Sequence, residues 1–303
     1  MISVVICTYN RQDSLRRTLI SLGEMFVPVD LSWELIIVDN NSRDETKRVV
    51  HDFIDSSRFC CKYVFEGVQG KTYALNRGVK EAKGDIIALT DDDVIVDKNW
   101  LLNIENAFKE NNIACVGGKI LPIWEKPQPK WLDGRCLLDI LALVDLGNEM
   151  MKLSKPIVWG ANLSMKSYVF KKYGYFDTSL GHTGAKIYGT EDTEMVQTIL
   201  NHNETVIYSP NVLVYHCIPG KRLKRSYFRK WVYDKGQLKA IRLGKYTKRN
   251  LMGIPYLWIK ITVYSFFEYI ISHVISPKIA FEKELRFIHN IGKCIGRIQC
   301  GNL

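Results

Sequence analysis

Three carboxylates stand side by side at Asp91-Asp92-Asp93, and two more at Glu191-Asp192. Adjacent carboxylates repel one another, so the triplet is costly unless a cation relieves it. A Mg2+ or Mn2+ ion, held by one or two of these carboxylates and by substrate phosphates, would do so; a solvated acidic turn that caps the next helix is the plainer alternative. Glu191-Asp192 opens a helical pattern after a Gly-rich stretch, from Gly174 to Gly189. The pair reads either as compensation of the helix dipole or as a general base within reach of a hydroxyl, with the Gly-rich stretch as an acceptor-binding loop. Asp39 ends an apolar run and could accept hydrogen bonds from a base or ribose, or cap the helix begun by Ser42 to Thr46. Lys71 lies beside a helix start, where a diphosphate could meet it. Its surroundings, GVQGKT, lack the GxxxxGK[ST] spacing, which excludes a nucleoside-triphosphatase loop. His216 closes another apolar run and is either a structural histidine or a metal ligand through a neutral ring nitrogen.

The elements that must position these residues follow from periodicity. Apolar runs at Ile2–Cys7, Trp33–Val38 and Asp85–Leu89 end in the polar clusters Thr8-Tyr9-Asn10, Asp39-Asn40-Asn41-Ser42 and Thr90-Asp91-Asp92-Asp93. Helical patterns lie between and after them, at Ser14–Leu22, Arg43–Ser56, Thr72–Ala82 and Asn99–Lys109, with further strands at Tyr63–Phe65 and Ile113–Leu121. This alternation predicts a parallel sheet covered by helices on both faces. Ligands of such sheets sit at the strand carboxyl ends, where all three polar clusters fall. Pro122, Pro127 and Pro129 weaken the pattern up to Pro156, and a loop-rich excursion over the site is expected there. Order returns at Ile157–Met165, Ser167–Tyr173 and the helix Glu191–Leu200. Two short strands, Thr205–Tyr208 and Val212–His216, are expected to be split at Ser209-Pro210-Asn211.

The chain has 303 residues, 47% hydrophobic and 24% charged, which excludes bulk disorder. Its net charge of +10 is concentrated: residues 221–249 hold twelve Lys or Arg against Asp234, so the remainder sums to −1. A polyanion binder charged over its whole surface is thereby excluded. Eight cysteines without a CxxC pair exclude a zinc ribbon and argue against a disulfide scaffold, which leaves reduced thiols of a cytosolic compartment. The first apolar run is too short for a signal-peptide core with its cleavage site. No stretch of eighteen uncharged apolar residues is present.

Six stretches, VVICTYNRQDSLRRTLISL, ELIIVDNNSRDET, GKTYALNRGVKEAKGDIIALTDDDVIVDKNWL, WGANLSMKSYVFKKYGYFD, GTEDTEMVQTIL and VLVYHCIPGKR, occur in an order that resembles glycosyltransferase family 2 over roughly residues 2 to 222. The resemblance implies a GT-A fold, a Rossmann-like α/β sheet flanked by helices, and a nucleotide-sugar donor. By position it assigns nucleotide contacts to Thr8, Tyr9, Asn10, Asp39 and Lys71, and to Asp91 and Asp92. It places Mn2+ or Mg2+ at the acidic triplet, where Asp91 and Asp93 have the DXD spacing, with His216 as a further ligand; which two carboxylates touch the cation stays open. Trp159, Gly160 and Asn162 fall on the acceptor side. Of the pair Glu191-Asp192, Asp192 takes the place of the catalytic base. One base and one displacement imply inversion at the anomeric carbon, in contrast to a covalent double displacement. Asp39 in this family implies uracil recognition, hence a UDP-sugar. The alternatives weighed are a non-catalytic sugar-nucleotide or partner-binding protein of the same fold, and a nucleotidyltransferase, which would need a glycine-rich loop after the first strand.

Residues 1–220 are read as the GT-A domain and 221–303 as a basic, amphipathic helical region. Tyr227, Phe228, Trp231 and Tyr233 interleave the charges, and the apolar stretch Leu251–Ile275 follows. Cations and interfacial aromatics suit an anionic membrane surface. Lys260 and Glu268 interrupt the apolar stretch, so it is expected to lie at the surface instead of spanning. A glycan or polyprenyl-linked acceptor and a peripheral site at the cytosolic face agree with that reading; a helical subdomain packed on the sheet is its rival. No nucleic-acid-binding module is recognisable.

Overall fold

The computed structural model describes residues 1–109, 112–179, 189–242, 250–251, 253–275 and 277–301. In chain order the elements begin β1 (Ile2–Thr8), α1 (Gln12–Gly23), β2 (Trp33–Asp39), α2 (Thr46–Ser56), β3 (Cys60–Phe65), α3 (Lys71–Glu81) and β4 (Ile86–Asp91). These alternate as the periodicity requires. Strands β1, β2 and β4 read as nearly continuous runs of Ile, Val and Leu, and Val4, Val5, Ile6, Leu35, Ile36 and Ile37 are fully buried. Burial on both faces is what strands under crossover helices must bear. Leu15, Leu19 and Leu22 of α1 and Ala74, Leu75 and Val79 of α3 supply the helical side of that core. Gly78 lets α3 lie directly on the sheet, since a Cβ there would collide with Val5.

The chain continues through β5 (Val94–Val96), α4 (Trp100–Ala107), β6 (Ile113–Trp124), α5 (Arg135–Asp139), β7 (Met151–Lys152), β8 (Asn162–Lys166), α6 (Tyr168–Tyr173), α7 (Glu191–Asn201) and β9 (Thr205–Ile218). Among the described residues the strands form one nine-stranded sheet in the order β3-β2-β1-β4-β8-β6-β9-β5, with β7 also paired to β9. The half from β3 to β4 is parallel. Beyond β4 the described pairings are antiparallel, so the fold is mixed α/β, and the parallel expectation holds for its first half. Pairing of Thr8 with Asp39 and of Cys7 with Asp91 sets the three polar clusters on one edge.

Two expected breaks are absent. Pro122 lies inside β6, and β9 runs unbroken through Pro210. In β9 the proline falls between the segment paired with β7, at Ile207 and Tyr208, and the segment paired with β5, at Val214 to His216. Gly118 in β6 has no room for a side chain: a Cβ would meet the Asn162 amide and the Val212 carbonyl oxygen. Gly118→Ala should therefore destabilise by about 1–3 kcal/mol. Urea denaturation checks this, and an unchanged midpoint would contradict the close approach.

Among the described residues, 1–123, 142–179 and 189–217 form one compact unit; 124–141 and 218–301 form another. The second unit contains a 3-10 turn (Gly220–Leu223), α8 (Arg225–Arg242), the hairpin β10 (Asn250–Leu251) and β11 (Ile254–Pro255), α9 (Tyr256–Ile275) and α10 (Pro277–Gly301). Gly236 of α8 faces the His289 carbonyl and Gly292 of α10 faces the Tyr233 carbonyl, so these two helices touch through their backbones. Trp131, Phe228 and Phe281 form an aromatic cluster capped by the Arg225 guanidinium.

Candidate active site

Every described site residue expected from the sequence lies in the first unit, at or beside the edge formed by β1, β2 and β4. Thr8 is buried and donates from Oγ1 to Asp92 Oδ2 at 2.8 Å. Tyr9 is 43% exposed. Asn10 adopts φ +51°, a conformation asparagine tolerates better than most residues. Its N–H donates to Ser42 Oγ at 2.9 Å and its Oδ1 accepts from the Arg43 N–H at 2.7 Å, which ties the two loops together. Asp39 is buried; Oδ1 accepts from the Ser42 N–H and Oδ2 from the Tyr63 hydroxyl, both at 2.9 Å. The first residue of α2 is held by Asp44 instead of Asp39: Asp44 Oδ1 accepts from the Thr46 N–H at 3.1 Å.

Lys71 opens α3, and the residue that aims it escaped the sequence reading. Asn40 donates to the carbonyls of Glu66 at 3.2 Å and Val68 at 2.7 Å, and accepts from the Gly70 N–H at 2.8 Å. Gly70 itself sits at φ +142°. Lys71 Nζ reaches Asp91 Oδ1 at 2.6 Å. Burial works against its charge, but Asp91, Glu191 and Asp192 outweigh burial and hold the ammonium protonated far above the ordinary lysine range.

The second missed residue is Arg11. Its Nη1 bridges Asp92 Oδ1 at 2.8 Å and Asp93 Oδ2 at 3.0 Å. The repulsion within the triplet is thus relieved by two cations of the chain itself, Arg11 and Lys71. The relief is partial at Asp92: burial, opposed by Arg11 and reinforced by Asp93, pushes its carboxyl up to about 6. Only the adjacency of Arg11 to Thr8-Tyr9-Asn10 signalled a role.

Among the described residues no three His, Cys, Asp or Glu side chains close on one point. Asp91 is engaged by Lys71, while His216 Nε2 stands 3.4 Å from Asp93 Oδ1. That separation is close to the spacing, about 3 Å, between neighbouring donors on an octahedral ion with bonds of about 2.1 Å. A nitrogen and a carboxylate oxygen fit Mn2+, and Mg2+ through the oxygen. Pairing of Val94 with His216 across β5 and β9 brings the two donors together.

Glu191 and Asp192 begin α7, and both are buried. Asp192 Oδ2 accepts from the Gly160 N–H at 2.6 Å, and Oδ1 accepts from the Thr193 N–H at 2.6 Å. Glu191 Oε2 has no hydrogen-bond partner among the described residues. Burial and the Asp192 charge, opposed by Lys71, push its carboxyl up to about 7. Trp159 and Gly160 are half-buried beside this pair. Asn162 is different: Oδ1 accepts from Trp100 Nε1 at 2.9 Å, and Nδ2 donates to the carbonyls of Lys119 at 2.9 Å and Val212 at 2.8 Å. Its amide is spent inside the sheet and is not turned toward an acceptor. Most of the Gly-rich loop, at 180–188, lies outside the described residues.

The profile of Glycosyl transferase family 2 matches residues 3–174, more than half of the chain. The chain belongs to glycosyltransferase family 2. The enzyme is 29% identical over 229 residues to the glucosyl-dolichyl phosphate glucuronosyltransferase of Haloferax volcanii, covering 71% of this chain and 68% of that one. It is 24% identical over 228 residues to a poly-beta-1,6-N-acetyl-D-glucosamine synthase of Staphylococcus epidermidis, covering 72% of this chain and 50% of that protein. Among solved structures, the mannosyltransferase PcManGT of Pyrobaculum calidifontis, in complex with GDP-Man and Mn2+, superposes with a TM-score of 0.60 at 19% identity, over 98% of this chain and 73% of the other. S. aureus TarS 1-349 with UDP-GlcNAc gives 0.56 at 17% identity, over 98% and 81%. These likenesses establish the GT-A fold. The family 2 transferase takes a nucleotide-sugar donor. No described helix is long and apolar enough to cross a membrane.

Proposed function

We propose that the enzyme moves a sugar, with inversion, from a UDP-sugar to a hydroxyl of a glycan or polyprenyl-linked acceptor at the cytosolic face of a membrane. The observation that supports this most is the convergence on Lys71: Asp91 lies 2.6 Å from its ammonium, and Glu191 and Asp192 add to the field that keeps it charged. Donor-side and acceptor-side acids thus share one small volume. Asp39, with a lone pair left on each oxygen, receives the N–H of the base; Thr8, Tyr9 and Asn10 flank it. Lys71 meets the diphosphate. Asp93 and His216, with Asp91 or Asp92, would hold a divalent cation, which when bound neutralises the leaving diphosphate. Asp192 takes the proton of the acceptor hydroxyl, whose oxygen bonds to the anomeric carbon as the bond to the diphosphate oxygen breaks on the opposite face. The N–H groups of Gly160 and Thr193, each donating to a different oxygen, fix the orientation of that carboxylate. Glu191, half-protonated near neutrality, can donate a hydrogen bond to the sugar or acceptor. A lipid-phosphate substrate in the name of one relative and a polysaccharide product in the other agree with both acceptor classes.

Thermal shift against a panel of nucleoside diphosphates and nucleotide sugars tests the donor assignment. Saturation at about a hundred times Kd stabilises by about 2.7 kcal/mol. A shift with uridine nucleotides that grows with Mn2+ and collapses in excess chelator is expected. Equal shifts in chelator would remove the metal, and a shift with guanosine nucleotides alone would remove the uracil reading of Asp39.

A further inference from the structure

Helix α9 is amphipathic the wrong way round for a helix in water. The side it buries carries Trp258, Ser265 and Ser272, seven residues apart. That seam is largely polar: Asn290 of α10 donates to Ser265 Oγ at 3.1 Å, and Ser265 and Ser272 donate to the carbonyls of Thr262 and Tyr269. The opposite side exposes Leu257, Val263, Phe267, Ile270, Ile271 and Val274, the last at 84%. Val263, Phe267, Ile270, Ile271 and Val274 lie three and four apart and so share one face, an apolar stripe about three turns long that Lys260 separates from Leu257. Glu268, at its flank, is neutralised from α10 by Lys283 at 3.1 Å and Arg286 at 3.0 Å. An exposed apolar surface of this kind marks an interaction site.

We infer that this outward face of α9 inserts into the acyl boundary of an anionic bilayer, with the helix lying in the plane of the leaflet. The inference rests on reading the C-terminal region as membrane-facing and names the side chains that enter the lipid. Charge selects the occupant. Residues 221–303 contain eighteen Lys or Arg against four Asp or Glu, a net +14, while residues 1–220 sum to −4. A second copy would bring an equal positive charge against the first. An anionic leaflet is attracted by it, and apolar insertion together with basic charge is the combination that holds an interfacial helix. Lys260 can extend its amine to the headgroups while its stem remains among the apolar residues.

Co-sedimentation of the full chain with phosphatidylcholine vesicles, with and without phosphatidylglycerol, tests this. The chain should bind the anionic vesicles, and Phe267→Asp with Ile271→Asp should weaken partition at least on the order of tenfold. Val274→Asp should act in the same direction, whereas Val29→Asp, an exposed apolar site in the other unit, should not. All variants are compared at unchanged melting temperature. Anionic binding that the α9 variants leave intact would overturn the insertion and leave only electrostatic attachment. Absence of binding by the unaltered chain would overturn both the insertion and the membrane siting, with the nucleotide-dependent thermal shift standing apart. A dimer in sedimentation that the α9 variants dissociate, without vesicle binding, would give the stripe to a second copy.

Discussion

Asp192→Asn should lower turnover by roughly two to four orders of magnitude while donor affinity changes little. The loss follows from chemistry: an amide cannot accept the acceptor's proton at neutral pH. The wild-type carboxylate accepts the Gly160 N–H and the Thr193 N–H on separate oxygens. Asparagine can satisfy only one of them and turns an NH2 group toward the other, which adds a local cost of about 1–3 kcal/mol. Donor titration by thermal shift must therefore accompany kinetics. Intact donor binding with lost transfer supports Asp192 as base; retained turnover would move the base to Glu191, whose carboxyl is already poised near 7. Glu191→Gln discriminates the two, since it should spare most of the rate if Glu191 only donates a hydrogen bond.

Arg11→Met should produce the largest loss of stability among substitutions at the sheet edge. It leaves Asp92 and Asp93 buried without their shared guanidinium. Breaking a fully buried pair costs about 3–5 kcal/mol; because the Arg11 side chain is 40% exposed, about 2–3 kcal/mol is expected here. The pH dependence has a definite sign. Burial already raises Asp92 to about 6, above its unfolded value. Its contribution is therefore complete only below the ordinary aspartate range and is lost as pH rises from there through about 6. Removing Arg11 raises the group further and deepens that loss. Melting curves in chelator should show the deficit widest above neutrality and narrowing on acidification. A deficit independent of pH would mean that Arg11 contributes packing alone.

The parallel half of the fold was legible because its strands are buried on both faces and end in polar clusters. Ile2–Thr8, Trp33–Asp39 and Ile86–Asp91 each appear within a residue or two of their expected bounds. The antiparallel half was not, because adjacency of strands distant in sequence leaves no periodic trace. Pro122 and Pro210 read as breakers only while their neighbours in the sheet were unknown. The acids and Lys71 were found as residue types in a pattern. Arg11 and Asn40 were missed because their work is pairwise: one balances carboxylates about eighty residues away, the other fastens a loop about thirty residues on. Asn162 shows the reverse error, since a polar residue at a strand start carries no mark of which side its amide will face.

The two ends of the sheet bear on how the protein survives at high concentration. An edge strand presents unpaired N–H and C=O groups on which a stranger's strand can add. At one end β5 is three residues long, too short to template such growth. At the other, β3 is longer, but Lys62 stands in its middle and is held by Glu81. Brevity at one margin and a charged side chain at the other are both deterrents to strand addition. Both ends of the order from β3 to β5 thus discourage a stranger's strand from adding.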